Sequence, residues 1–330
     1  MELNINTKSN HNDTAHTAHI KFHREVIDGL KSNPKTLPSK YFYDKNGDGL
    51  FQQIMAMPEY YLTKCELDIF CNKTVEIANM LTAENEPFDL IEMGAGDAMK
   101  SSYLLKELMK RGVDFTYMPI DISDNILTVL HNKLKADMPK LAIVSLKGEY
   151  FDMLYQAASL SQKKKVVLFL GSNIGNMEFE DTFSFCRELN KNLSPDDILL
   201  MGFDLKKNPQ TILNAYHDKM GITAAFNLNL LTRINREIEA DFQLDQFQHY
   251  PHYDPITGAC RSYLISLVDQ QVQIGEEKIS FAKNEPIYME VSQKFSMNDI
   301  EQLAQNSCFN IIGEITDSKN WFVDSFWKKI

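Results

Sequence analysis

The sequence predicts an α/β fold built on a parallel, doubly wound sheet. Three observations carry this. Between about residues 88 and 205, short apolar runs alternate with segments of helical spacing. That alternation is the signature of a sheet covered by helices on both faces. Several of the apolar runs also end in glycine, acidic or amide residues, the types found where strand ends meet a ligand. Finally, the rhythm stops near residue 206 and returns only in the last forty or so residues, which places an insertion within the core.

The elements follow in order. "FDLIEMGAG" (88–96) is a buried-strand run closed by two glycines, and "KSSYLLKELMKRG" after it has helical spacing. "FTYMPIDIS" (115–123) is a second strand ending on an acid, followed by the helix pattern "DNILTVLHNKLKAD". "LAIVSLKGEY" (141–150), "KVVLFLGSNIGN" (165–176) and "DDILLMGFDL" (196–205) are the third, fourth and fifth strands. Upstream, "HREVIDGLKS" (23–32), the stretch 50–57 and a longer run from about Lys64 to Leu81 read as helices. Downstream of 206 the chain is helical with a break at Gly221. Then come a β-rich stretch with "RSYLISLVDQQVQI" (261–274) as a strand, the strand "PIYMEVSQKFS", the helix "MNDIEQLAQNS", and "FNIIGEITD" and "WFVDSFWKKI" as closing strands. "HYPH" (249–252) reads as a loop because of its proline. The expected organisation is a polar, mobile tail over 1–20 and a Rossmann-like core over 61–205 completed by 291–330. The segments 21–60 and 206–290 join as a second domain.

Composition narrows the function classes. The 330 residues are 44% hydrophobic and 24% charged, as in an ordinary globular protein, and the net charge is −11. Acidity argues against a nucleic acid or an anionic membrane as partner. No apolar run reaches the roughly 18 residues of a membrane span, and "MELNINTKSNHNDTAHTAH" lacks the basic start and apolar centre of a signal peptide. Cys65, Cys71, Cys186, Cys260 and Cys308 show no CxxC spacing and read as reduced thiols, so a cytoplasmic location is expected. No interface pattern stands out, which leaves a monomer as the default. The histidines at 11, 16, 19 and 23 lie among Asn, Asp and Thr and read as solvated, so no metal is expected.

"YFYDKNGDGLFQQIM" (41–55) opens like a calcium loop, with Asp44, Asn46, Asp48 and Gly49 in the first half of the pattern. The twelfth position should be a bidentate Glu; here it is Met55, a poor ligand for a hard cation. Calcium is not expected.

Chemistry concentrates at the strand ends. Gly94 and Gly96 allow a tight turn and a close backbone approach. Asp121 can accept hydrogen bonds from ribose hydroxyls, and Glu149 with Tyr150 presents a carboxylate and a ring suited to adenine. Nicotinamide, flavin and S-adenosylmethionine (SAM) sites share such features. The third position of GxGxxG is Met99, a bulky residue where a dinucleotide enzyme needs close packing. SAM has no pyrophosphate to cradle, so SAM is favoured, with a nicotinamide oxidoreductase as the alternative from another class.

The segments "LPSKYFYDKNGDGLFQQI…PEYYLTKCE", "EMGAGDAMKS", "PIDIS", "LFLGSNIGN", "AYHDKMGITAAFN" and "MEVSQKF" together resemble the histidine-specific, SAM-dependent Nα-methyltransferases of ergothioneine biosynthesis, from about residue 35 onward. The resemblance implies a class I SAM methyltransferase core, with the second domain binding the substrate. It makes Asp44–Gly49 a turn beside active-site tyrosines. It implies SAM at Gly94, Gly96 and Lys100, the ribose on Asp121, and adenine at Glu149 and Tyr150, where the family more often has Asp-Phe. By the same resemblance, Asn176 and Tyr216 hold the α-carboxylate and amino group of a small amino-acid substrate, and Tyr60 approaches the amine. Glu290 and Ser292 bind the imidazole, with Tyr43 assisting. Ser262 falls where the bacterial histidine enzymes usually carry Met beside the ring pocket. The implied product is Nα-trimethylhistidine, with methylation of another amine, such as a tryptophan derivative or a modified histidine, as the alternative.

Overall fold

The computed structural model describes residues 9–330, with side chains from residue 17 onward. The chain divides into two compact units.

One unit comprises Tyr61–Pro209, Asp254–Ala259 and Ser292–Ile330. Its seven strands are β1 (Phe88–Met93), β2 (Phe115–Asp121), β3 (Leu146–Lys147), β4 (Lys164–Phe169), β5 (Ile198–Asp204), β6 (Phe309–Thr316) and β7 (Phe322–Lys329). They lie in the order β3-β2-β1-β4-β5-β7-β6. β1 to β5 pair in parallel. β7 runs antiparallel between β5 and β6. The expected parallel sheet is therefore mixed. β6 and β7 are joined by a short turn, and a short connection can only bring its strands together antiparallel. All six residues of β1 and all seven of β5 are buried, as strands covered on both faces must be. Within the core Trp327 is fully buried against Phe203 and Phe309, and its indole N–H donates to Ser325 Oγ at 2.8 Å.

Three elements differ from expectation. The third strand shrinks to Leu146–Lys147 with an isolated bridge from Ile143 to Tyr117, because it lies at the sheet edge with one neighbour. The helix expected over 64–81 is two, Tyr61–Asn72 and Thr74–Leu81, separated at Lys73. Asp254–Ala259, expected within the insertion, counts with the core unit; the Gly258 carbonyl accepts from Lys294 N at 2.8 Å.

The other unit comprises the chain up to Tyr60, Gln210–Tyr253 and Cys260–Val291. Its helix Ser9–Lys31 begins far ahead of the expected 23–32, so residues 9–20 are helical instead of forming a loose tail, and residues 1–8 lie outside the described residues. Phe22, Val26, Ile27 and Leu30 bury one face of this helix. His19 Nε2 sits 2.8 Å from the carbonyl of Glu237 and so ties down the earlier turn. Pro209–Tyr216 and Ile222–Glu237 are the two helices either side of Gly221, whose φ of +72° suits glycine. "HYPH" lies in a strand, Phe247–Tyr253, not a loop. That strand is the last in its sheet, where a residue without an N–H is tolerated. The expected strand over 261–274 is two, Ala259–Ser266 and Gln270–Ile274, the second forming a hairpin with Glu277–Phe281.

The calcium-like stretch is the start of a helix, Lys45–Ala56, and not the expected turn. Asp44 is its N-cap, accepting from Gly47 N at 2.7 Å. The same carboxylate accepts from Asn229 Nδ2 at 2.9 Å and Arg236 Nη2 at 2.7 Å, both on helix Ile222–Glu237. Burial alone would raise the Asp44 carboxyl, but these bonds outweigh it and hold it below its ordinary value of 3.8. Stability from Asp44 is thus complete above that ordinary value and is lost as pH falls through the depressed one. Asp44→Ala should cost about 1–3 kcal/mol in urea unfolding at neutral pH. The difference from wild type should shrink as pH falls below about 4; a difference independent of pH would exclude the carboxylate as its source.

Candidate active site

In the core unit the strand order reverses between β1 and β4, and the ends of these strands gather the predicted nucleotide-binding residues. Gly94 follows β1 with φ +73°. A Cβ there would lie 2.8 Å from the Tyr150 hydroxyl and 3.0 Å from Asn173 Nδ2, so only glycine fits. Gly96, with φ +53°, would meet nothing within 4 Å: its face is open. Its N–H donates to Asp121 Oδ2 at 3.3 Å, and Ser123 N donates to Oδ1 at 2.9 Å. Burial raises the Asp121 carboxyl despite these bonds. Glu149 is the exposed N-cap of helix Tyr150–Ser159, and the Tyr150 ring packs edge-on against Phe169 with centroids 5.6 Å apart. Burial, with the charges of Asp121 and Glu149 adding to it, raises the Tyr150 phenol and keeps it neutral.

Lys100 is paired with Glu66, a residue missed in the sequence. The Glu66 side chain is wholly buried on helix Tyr61–Asn72 and accepts from Gly171 N with both oxygens, at 2.8 and 2.9 Å. Its signal was a charge at apolar spacing: Leu62, Glu66, Ile69 and Phe70 share the buried face. Two further buried acids lie in this unit. Burial pushes Glu92 up to about 7, against a hydrogen bond from the Tyr117 hydroxyl at 2.5 Å. Asp324 is raised by burial and then by the charge of Glu66.

Asn176 ends the short helix Asn173–Asn176 after β4 and is exposed. A Cβ on Gly175 would lie 2.7 Å from the Gln293 carbonyl, so this segment presses against the chain next to Ser292. Ser292 Oγ accepts from the buried Lys294 Nζ at 2.8 Å. Lys294 in turn pairs with Asp204 at 2.8 Å, the acid closing β5, which also accepts from the Tyr61 hydroxyl at 2.8 Å and pairs with Lys207.

In the other unit the three predicted tyrosines share one aromatic cluster. Tyr43 contacts Phe51 with centroids 5.6 Å apart, Phe51 contacts Tyr60 at 6.5 Å, and Tyr60 contacts Tyr216 at 6.1 Å. Ser262 does not join Glu290. Buried residues alternate along both strands: Cys260, Ser262 and Leu264 on one, Ile287, Met289 and Val291 on the other. Glu290 is half-buried and belongs to the opposite set, with Tyr288. Successive side chains of a strand point to opposite faces, so Ser262 and Glu290 cannot line one wall. Ser262 instead meets the buried His249, whose Nε2 is 3.3 Å from its Oγ. Burial pushes that imidazole down to about 4, so it is neutral at physiological pH.

Glu66→Gln places an amide N–H₂ among the donors of Gly171 and Lys100. It should cost roughly 1–3 kcal/mol in chemical denaturation; an unchanged midpoint would mean that the pair contributes nothing net.

A family model described as "Histidine-specific methyltransferase, SAM-dependent" matches residues 22–329. A histidine N-alpha-methyltransferase of Mycobacterium tuberculosis (strain CDC 1551 / Oshkosh) is 34% identical over 279 residues, covering 84% of this chain and 85% of that protein. Ergothioneine biosynthesis protein 1 of Schizosaccharomyces pombe (strain 972 / ATCC 24843) is 29% identical over 285 residues, covering 84% of this chain but 37% of that longer protein. Among solved structures, the mitomycin 7-O-methyltransferase MmcR superposes with a TM-score of 0.50 at 11% identity, over 96% of this chain and 67% of that one, a likeness of fold alone. With nearly its whole length matched by the family model, the chain belongs to the histidine-specific, SAM-dependent methyltransferases and is a SAM-dependent amino-acid N-methyltransferase.

Proposed function

We propose that this enzyme methylates the α-amino group of L-histidine three times, giving Nα-trimethylhistidine (hercynine). The observation that carries this reading is the 34% identity, over most of both chains, to a histidine N-alpha-methyltransferase.

The residues fit the cofactor. The open face at Gly96 lies next to the Asp121 carboxylate, which suits close approach of a ribose whose hydroxyls donate to it. Glu149 and Tyr150 are assigned to adenine, and Gly94 and Lys100 to the rest of the molecule. SAM supplies a methyl group on a sulfonium; the amine lone pair forms the new N–C bond as the C–S bond breaks and sulfur keeps its electron pair. The amine must arrive neutral, so each of the first two transfers is followed by loss of a proton to solvent. Tyr60 and Tyr216 suit this task. Phenols orient an amine by hydrogen bonding without the fixed negative charge that would hold it as ammonium. Alignment of amine, methyl and sulfur then supplies much of the rate. Asn176 is assigned to the α-carboxylate. Glu290 and Ser292 are assigned to the imidazole with Tyr43 assisting, and the bond from Lys294 fixes the Ser292 hydroxyl. Ser262, on the face opposite Glu290, is left out of this assignment.

Incubation with SAM and a panel of amino acids, followed by mass spectrometry, tests the proposal: histidine should gain up to three methyl groups. Methylation of another amine with histidine untouched would overturn the substrate and leave the reaction class. Asp121→Ala should weaken SAM binding by roughly 1–3 kcal/mol in calorimetry, and an unchanged affinity would remove the ribose role. Glu290→Ala should lower the preference for histidine over phenylalanine by about 10- to 100-fold while sparing SAM affinity. Unchanged discrimination would sink the ring assignment.

A further inference from the structure

The sheet carrying Glu290 also indicates what stands across from it. Strands Ala259–Ser266 and Pro286–Gln293 are neighbours. At one end of their ladder Ser266 N donates to the Glu285 carbonyl at 3.0 Å, and Asn284 N donates to the Ser266 carbonyl at 2.8 Å, so the strands run antiparallel. The rings of Tyr263 and Tyr288 lie 5.8 Å apart, which marks these two as an opposed pair on one face. Two residues further along each strand, on the same face, are Arg261 and Glu290. The burial pattern agrees: Arg261, Tyr263, Tyr288 and Glu290 are half-buried, while their neighbours Cys260, Ser262, Leu264, Ile287, Met289 and Val291 are buried.

We infer that Arg261 is a positioning residue that holds the Glu290 carboxylate in place for recognition of a nitrogen-bearing substrate ring. This rests on the assignment of Glu290 to the ring. Directly opposed residues on antiparallel strands have Cβ atoms about 5 Å apart, within easy reach of an Arg–carboxylate contact. Such a contact is charge-assisted and often bidentate, so it fixes rotamer as well as charge. A carboxylate has about four lone-pair sites on its two oxygens, so one bound to the guanidinium keeps a lone pair to accept from a ring N–H. Tyr263 and Tyr288 stand together on one side of the pair, their rings 5.8 Å apart. The face thus offers a fixed acceptor beside an aromatic wall, which suits a flat ring carrying an N–H donor and discriminates against a ring without one. Lysine would supply the charge without the planar fork.

The test compares wild type, Arg261→Met, Arg261→Lys, Glu290→Gln and the Arg261→Met/Glu290→Gln double variant. Steady-state kinetics with histidine and calorimetric SAM affinity are measured for each. Arg261→Met should raise KM for histidine about 10-fold or more with little change in kcat and none in SAM affinity. Arg261→Lys should recover part of the loss, and the double variant should be no worse than Glu290→Gln alone. Multiplying effects in the double variant, or an Arg261→Met KM equal to wild type, would overturn the inference while leaving the Glu290 assignment standing. A silent Glu290→Gln would instead overturn that assignment, and this inference with it. If Arg261→Met fails to fold by circular dichroism, Arg261→Lys carries the same comparison: a raised KM that disappears as a separate effect in the Arg261→Lys/Glu290→Gln double variant is expected, and either a KM equal to wild type or effects that multiply in the double variant would overturn the positioning role.

Discussion

The buried carboxylate of Glu66 is the interaction on which the nucleotide end of the core depends. A wholly buried acid needs partners for its lone pairs, and Glu66 finds them in the Gly171 N–H just after β4 and the Lys100 ammonium at the entrance to helix Ser101–Lys110. One side chain therefore joins the helix Tyr61–Asn72 to the loops that follow two adjacent parallel strands. The cost of burying it is offset only while all three groups stay together. Gly202, on β5, has room for no side chain because a Cβ would lie 2.4 Å from Glu66 Oε1.

A similar economy governs the N-terminal segment of the other unit. Asp44 caps one helix while binding two side chains of another, and so fixes where Tyr43 and Phe51 stand. The aspartate and asparagine that imitate a calcium loop are spent on this junction: Asn46 Nδ2 donates to Asn229 Oδ1 at 2.5 Å, closing the network. Tyr43, Tyr60 and Tyr216, remote in sequence, reach one aromatic cluster through Phe51. Aromatic edges in contact favour a defined geometry over a loose apolar patch.

The two-residue period of a strand decides which side chains share a face. Ser262 and Arg261 are adjacent in sequence, yet one packs inward with His249 and Leu264 while the other shares the face of Tyr288 and Glu290. A displacement of one residue in aligning this strand exchanges the two faces completely. Ser262 is therefore enclosed by packing, whereas Arg261 shares the half-buried face of Glu290.

The sequence by itself determined the α/β class, the five parallel strands, the glycines and acid at their ends, and, through its motifs, the family. These are local properties: apolar periodicity and turn chemistry are written within a few residues of where they act. It also marked the change of rhythm near 206, close to where the second unit resumes at Gln210. Only the tertiary structure decided the rest. It made β6 and β7 antiparallel, turned "HYPH" into an edge strand, and started the first helix at Ser9. It paired Glu66 with Lys100 and Gly171, and put Ser262 and Glu290 on opposite faces. Each of these depends on partners distant in the chain, and burial and hydrogen bonding between such partners exist only once the chain has closed on itself.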